Sequence, residues 1–238
     1  MYAEVLRVEY FIVPPHIIEN SQASGRPVGS AIDFMENVIA PEMNVTIEWS
    51  QSGSGIPRQL KMLKNGEIDA GIIFAKNEAR SKFLNYPESS FYDCRPVLDV
   101  TKNHPLKQVD DIEDLLDYQV GYSSEAFKSP FMRDERIKWD YVYSRNWITQ
   151  SLKKLLLKRL DTMYVVEAPP ILYAARENHV EDDIRLIFLP EPKTEIYTVF
   201  SKKSSSDLAQ RYDKAFIKVG GRSRYYTMLQ EYIDVNSL

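Results

Sequence analysis

The chain predicts two α/β lobes, each doubly wound and joined to the other by a two-stranded hinge. Three observations lead there: strand and helix patterns alternate through the first third of the sequence, one strand-helix-strand unit recurs in its second half, and an extended segment follows each copy.

Val5 to Val13 reads as a buried strand, rich in β-branched and aromatic residues and stopped by Pro14-Pro15. After a loop containing Ser24-Gly25-Arg26-Pro27, Ile32, Met35 and Ile39 recur at helical spacing before Pro41. Val45 to Trp49 is a second strand. Beyond the turn Ser52-Gly53-Ser54-Gly55, a helix begins at Pro57, turns Leu60 and Leu63 inward and ends at Gly66, a residue suited to a left-handed cap. Asp69 to Ala75 is a third, fully buried strand. Arg95 to Thr101 reads as an extended crossing segment and Asp110 to Leu116 as a short helix or turn, leading to a strand from Tyr118 to Tyr122. Ser123 or Ser124 caps a short helix running to Lys128, before Pro130.

The recurrence is explicit. Leu60-Lys61-Met62-Leu63 followed by Ile68-Asp69 is matched at the same spacing by Leu152-Lys153-Lys154-Leu155 followed by Leu160-Asp161. Each copy ends in an apolar strand, Ala70 to Phe74 or Thr162 to Val166, and each follows another strand, Val45 to Trp49 or Lys138 to Tyr143. A βαβ unit built twice follows from this pattern. Pro169-Pro170 then interrupts, Ile171 to Glu177 is helical, Ile184 to Leu189 is a strand, and Tyr197 to Ser201 is a second crossing segment. Asp207 to Phe216 and Tyr225 to Ile233 are helical around Gly220-Gly221. A chain that leaves one lobe, builds another and returns has the first lobe at 1–97 with 198–238 and the second at 98–197, with a ligand cleft expected between them.

Composition narrows the function. With 238 residues, 44% hydrophobic and 27% charged, the chain has the makeup of a globular protein that buries a core. A formal net charge of −4 offers no basic face, so no nucleic-acid partner is expected. Apolar runs such as Gly71-Ile72-Ile73-Phe74-Ala75 fall far short of the ~20 residues of a membrane span. Met1-Tyr2-Ala3-Glu4 shows no export signal, which leaves a cytosolic protein or a sequence that begins at the mature end.

Cys94 is the single cysteine, has no histidine near it in sequence, and reads as a packing residue. His16, His104 and His179 are scattered without ligand spacing, so neither a metal nor a cofactor is expected. Ser52-Gly53-Ser54-Gly55 lacks the Lys-Ser/Thr of a phosphate loop and reads as a turn. Tyr141, Tyr143 and Trp147 cluster near the second copy, with core packing as their default role.

Over nearly its whole length the sequence resembles the extracellular solute-binding proteins of polar-amino-acid ABC transporters, which have the type 2 periplasmic-binding-protein fold. Leu6-Arg7-Val8 with Pro14-Pro15 is similar to the family's opening. Gly25, Pro27-Val28-Gly29 and Asp33 resemble its entry to the first helix. Ile56-Pro57, Leu60, Gly66 and Ile68-Asp69 match its central segment, Glu78-Ala79-Arg80 the neighbourhood of its arginine, and Asp114-Leu115 with Val120-Gly121 a later element.

The resemblance implies a non-catalytic receptor that closes on a small polar solute, an amino acid or other small carboxylate. It implies a periplasmic location with the export signal removed and a membrane permease as partner. Arg80 would fork onto the ligand carboxylate, and Ser123 and Ser124 would supply amides and hydroxyls to it. The family's aspartate for the ligand ammonium is replaced by Val165-Val166, with Glu167 one place along in its stead. Phe74 stands where the family has polar side chains, and His16 lies near the missing aromatic of the opening loop, so both join the expected ligand residues. The same resemblance admits a sensory or orphan binding module with a ligand other than an amino acid, and a dehydratase-like enzyme with Glu167 as its acid.

Overall fold

The computed structural model describes residues 4–19, 26–123, 127–143 and 146–235. The chain divides into two compact units, Met1–Asp93 with Glu195–Leu238, and Cys94–Thr194. The second is thus an insertion in the sequence of the first.

Unit 1 opens with β1 (Glu4–Glu9), shorter than the expected strand because Tyr10, Phe11 and Ile12 leave the ladder. Helix α1 (Ser30–Asp33) widens into a π-helical stretch, Phe34–Ile39, and continues as α2 (Ala40–Met43). The expected stop at Pro41 does not occur. Proline has no amide to donate and crowds the carbonyl four residues back, and the widened turn before it relieves that crowding.

Strand β2 (Val45–Trp49) lies parallel to β1, and α3 (Ile56–Asn65) leads to β3 (Ala70–Ala75), also parallel to β1. Gly66 ends α3 at φ 77°, where the Gly66 and Glu67 amides close on Leu63 and Met62, as the sequence predicts. Helix α4 (Glu78–Ser81) and the short strands β4 (Leu84–Asn85) and β5 (Tyr92–Cys94) complete this stretch.

Unit 2 starts with β6 (Val97–Thr101) and a 3-10 turn, Ile112–Leu115, which Asp111 and Asp114 close as a capping box. Strand β7 (Gln119–Ser123) pairs in parallel with β8 (Lys138–Val142) and with β9 (Thr162–Val165), while β6 runs antiparallel to β9 and to β10 (Ile184–Phe188). Helix α5 (Trp147–Leu156) joins β8 to β9, and α6 (Pro169–Glu177) follows β9.

Two differences from the sequence reading stand out in unit 2. The proline pair does not interrupt the chain: Pro169 and Pro170 open α6, where a fixed φ and a missing amide cost nothing. The helix expected from Ser123 to Lys128 is not seen in its described part, since Phe127 to Ser129 are irregular. The Ser129 amide and hydroxyl are drawn instead to Tyr164 (3.0 Å) and Glu191 (2.5 Å).

One face of this sheet gathers Leu98, Val120, Tyr122, Tyr164 and Ile187. The other packs Val97, Met163 and Val165 beneath Leu152 and Leu155 of α5 and Ile171 of α6. Burying each such aliphatic side chain contributes about 1.5 to 3 kcal/mol.

Returning to unit 1, β11 (Thr194–Ser201) runs antiparallel to β3 and β4 and also pairs with β5, before α7 (Leu208–Lys218) and α8 (Gly221–Val235). Among the described residues the sheet orders are β2-β1-β3-β11-β4 in unit 1 and β10-β6-β9-β7-β8 in unit 2. In both, a central strand is flanked by two parallel neighbours, and the third strand meets an antiparallel one. The winding is the same in the two units. No helix among the described residues is long and apolar enough to cross a membrane.

Candidate functional site

The carboxyl end of β3 is where unit 1 departs most from regular geometry. Gly71 pairs with Val199 and Phe74 with Tyr197, so Ile72 and Ile73 together oppose Thr198 alone: a β-bulge. Ile73 has φ 65°, a left-handed conformation that costs a β-branched residue about 1 to 3 kcal/mol. A Cβ on Gly71 would lie 2.8 Å from the Phe74 ring, so a residue without a side chain is needed under that ring. Strain and close packing here fix where Phe74, Ala75 and the following turn point.

Arg80 lies in that turn. The Asn77 side chain caps α4 by accepting the Arg80 amide at 2.8 Å. The Arg80 side chain folds back, its Nη1 donating to the Ala75 carbonyl at 3.0 Å and its guanidinium carbon 5.5 Å from the centre of the Phe74 ring. The residue is only 8% exposed. The Tyr86 hydroxyl reaches the same carbonyl at 3.4 Å, and burial pushes that phenol up to about 12, against the opposing pull of the Arg80 charge, so it keeps its proton. Lys76 lies 5.6 Å from the Tyr86 ring centre and 5.9 Å from that of Tyr197. Sequence reading missed Asn77, Lys76 and Tyr86; an Asn one residue before Glu78-Ala79-Arg80 is an N-cap signal that could have found the first.

Of the other expected ligand residues, Phe74 is brought against Arg80, whereas His16 has other neighbours. The His16 ring is fully enclosed, shares a 2.5 Å hydrogen bond with the Tyr225 hydroxyl, and packs 5.0 Å from the Tyr92 ring centre. Its carbonyl accepts the Ala31 amide at the start of α1, and a Cβ on Gly29 would stand 2.4 Å from that oxygen. Gly29, at φ 131°, is therefore a required glycine.

In unit 2, Ser123 is the last residue of β7, half-buried and paired with Val142. Glu167 follows β9 by two residues, is 1% exposed, and precedes α6. Both therefore stand at the carboxyl ends of neighbouring parallel strands, the end at which doubly wound sheets bind ligands. Ser124 lies outside the described residues.

A cavity of about 600 Å³ opens elsewhere in unit 1, lined by Arg26, Glu36, Ile47 and Trp49 among others, and contains none of the expected ligand residues. No group of His, Cys, Asp and Glu among the described residues could hold a metal ion.

No family model and no curated protein matches the chain. Solved structures do. An amino acid ABC transporter substrate-binding protein from Streptococcus pneumoniae, bound to L-arginine, superposes with a TM-score of 0.78 at 18% identity, covering 98% of this chain and 95% of the other. The glutamate-bound GluR0 ligand-binding core from Nostoc punctiforme gives 0.77 at 16%, covering 96% and 99%. A histidine kinase sensor domain similar to periplasmic binding proteins gives 0.77 at 15%, covering 97% and 95%. Near-complete coverage in both directions, with the strand order described above, shows that this chain has the type 2 periplasmic-binding-protein fold, the fold of amino-acid transport receptors and of sensor domains.

Proposed function

We propose that the protein binds a small carboxylate-bearing solute, an amino acid or a related acid, without transforming it, and closes its two units around it. The observation that carries this reading is the buried Arg80 guanidinium, held by the Ala75 carbonyl and the Phe74 ring at the end of a bulged strand. A planar fork, charged at any accessible pH and already fixed in place, binds a carboxylate with little ordering cost.

In this reading Arg80 and Phe74 hold the ligand from unit 1. Ser123, Ser124 and Glu167 hold it from unit 2, with Glu167 as partner for a ligand ammonium. His16 supports the loop ahead of α1. The hinge comprises the two extended connections near Cys94 and Thr194. The ligand would be delivered to a membrane permease outside the cytoplasm.

A ligand is first sought by thermal shift among amino acids, small carboxylates, polyamines and short peptides. At 100 times its dissociation constant it stabilises the fold by about 2.7 kcal/mol. Calorimetry on Arg80→Ala then tests the assignment. Losing one partner of a desolvated charge pair costs about 2 to 5 kcal/mol, so affinity for a carboxylate ligand is expected to fall more than about thirtyfold. Unchanged affinity would remove Arg80 from the site.

The likeness to a histidine kinase sensor domain favours a second reading, in which the same binding event drives a signal. A full gene encoding a transmembrane helix and kinase after Leu238 would select it, and a neighbouring permease gene would select transport.

A further inference from the structure

On the edge strand β8, Trp139 and Tyr141 are two residues apart and so share a face, and Tyr122 of β7 pairs directly with Tyr141. The three rings converge on one cation. The Lys128 ammonium lies 3.9 Å from the Trp139 ring centre, 5.2 Å from that of Tyr122 and 5.4 Å from that of Tyr141. Its hydrogen bond goes to the Tyr141 hydroxyl at 3.2 Å, and among the described residues no carboxylate pairs with it. The ring centres are 5.0 to 6.4 Å apart, so the three rings also pack against one another. Tyr122 is buried, which fixes the floor, whereas Tyr141 is 43% exposed and leaves a side open to solvent.

The occupant is an imperfect match. A primary ammonium is compact and strongly hydrated, and here it trades water for one phenol oxygen and three ring faces. A quaternary ammonium has no N–H to satisfy and spreads its charge over methyl groups, which is the cation that aromatic boxes hold best. Lys128 can also leave without unravelling the loop. Its carbonyl accepts Arg133 Nε at 3.3 Å, and the next residue, Ser129, is pinned by Tyr164 and Glu191, so the backbone is anchored independently of the side chain.

From this geometry we infer that Tyr122, Trp139 and Tyr141 form a binding site for a quaternary ammonium group, and that Lys128 is its tethered resident, displaced when the ligand enters. The site lies wholly in unit 2 and does not rest on the carboxylate reading. A resident that fills the box 90% of the time or more weakens the apparent affinity of a free cation at least about tenfold.

The test is calorimetric titration of the full chain with choline, and with its neutral isostere 3,3-dimethylbutan-1-ol. Choline has no carboxylate, so its failure to bind would say nothing about Arg80. Lys128→Ala is expected to bind choline at least about tenfold more tightly than the parent, with Lys128→Gln doing the same if the alanine variant folds poorly. The neutral alcohol should not bind, and adding Trp139→Ala to the lysine variant should abolish choline binding. Equal choline affinity in the parent and both lysine variants would overturn the proposal. So would equal binding of choline and the alcohol.

Discussion

Asp99 lies in the middle of β6, opposite Met163 on one side and Leu186 on the other, and so on the sheet face that packs beneath α5 and α6. It is fully buried, and neither carboxyl oxygen has a hydrogen-bond partner. Burial pushes this carboxyl up to about 8, offset only in part by the nearby Val100 amide, so the folded chain keeps a proton that the unfolded chain has released by pH 7. The sign follows from linkage. Below pH ~4 both states are protonated and there is no penalty; between ~4 and ~8 the folded state binds more protons and stability falls as pH rises, by up to about 1.4 kcal/mol per pH unit. Asp99→Asn is expected to flatten that fall, and Asp99→Val to raise the denaturant midpoint at pH 8. Urea unfolding from pH 4 to 8 measures both. A slope unchanged in Asp99→Asn would show that Asp99 ionises normally in the folded chain.

The repeated βαβ units are closed by one device, an aspartate just before the third strand. Asp69 accepts the Arg7 amide at 3.0 Å and returns its own amide to the Arg7 carbonyl at 2.9 Å; Asp161 does the same with Gln119, at 2.7 and 3.2 Å. Each clamp sets the register of a parallel pair, Val8 with Ala70 and Val120 with Thr162. Asp69 is also gripped by the Arg7 guanidinium (2.8 and 2.9 Å) and the Ser204 hydroxyl (2.7 Å). Burial alone would raise the Asp69 carboxyl, but those hydrogen bonds outweigh it and hold the group below the usual carboxylate range. Its stabilisation is thus complete above pH ~4 and is lost as acid protonates it. Alanine at either position is expected to cost about 1 to 3 kcal/mol in chemical denaturation, and a loss below about 0.5 would show the clamp to be incidental. This device is part of why the repeat could be read from sequence: in both copies an aspartate that bonds the first strand of the pair follows the helix at the same spacing. Other features left no such trace. The bulge at Ile73 arises from pairing with β11, more than a hundred residues away, and a run such as Ile72-Ile73-Phe74 carries no sign of it. Strands β4 and β5 are too short to show a period. Arg80 was legible only through its resemblance to a family motif, and the Lys128 box depends on a strand pairing that brings Tyr122 beside Tyr141.

At the scale of the whole chain, the two passages between units are the places where the proposed closing motion would be absorbed, and in unit 1 one side chain bonds to both of them. Arg222 of α8 donates to Asp93 at 3.1 Å, to Glu195 at 2.8 Å and to the Ser90 carbonyl at 3.1 Å. Asp93 is the last residue of unit 1 before the insertion and Glu195 the first after it. Hydrogen bonds from the Tyr197 hydroxyl and then Arg222 hold the Glu195 carboxyl below the usual range, so the clamp is charged at neutral pH. Both passages are tied to unit 1 up to these residues, and β5 and β11 pair with each other, so in the proposed closure rotation would be taken up beyond these strands, on the unit 2 side. Saturating ligand is then expected to shrink the radius of gyration in small-angle scattering, and identical curves with and without a proven ligand would refute closure. Arg222→Ala loosens both passages, leaving Asp93 on the Tyr226 hydroxyl and Glu195 on those of Tyr197 and Ser90, without touching Arg80, Ser123 or Glu167. It should broaden the ligand-free ensemble and weaken ligand binding about three- to tenfold, since a looser chain loses more freedom on closing. Its exposed ion pairs contribute little stability of their own, at most about 1 kcal/mol each, so the variant should remain folded. A thirtyfold loss would place Arg222 among the ligand contacts. Unchanged affinity and scattering would show that the clamp does not govern the hinge.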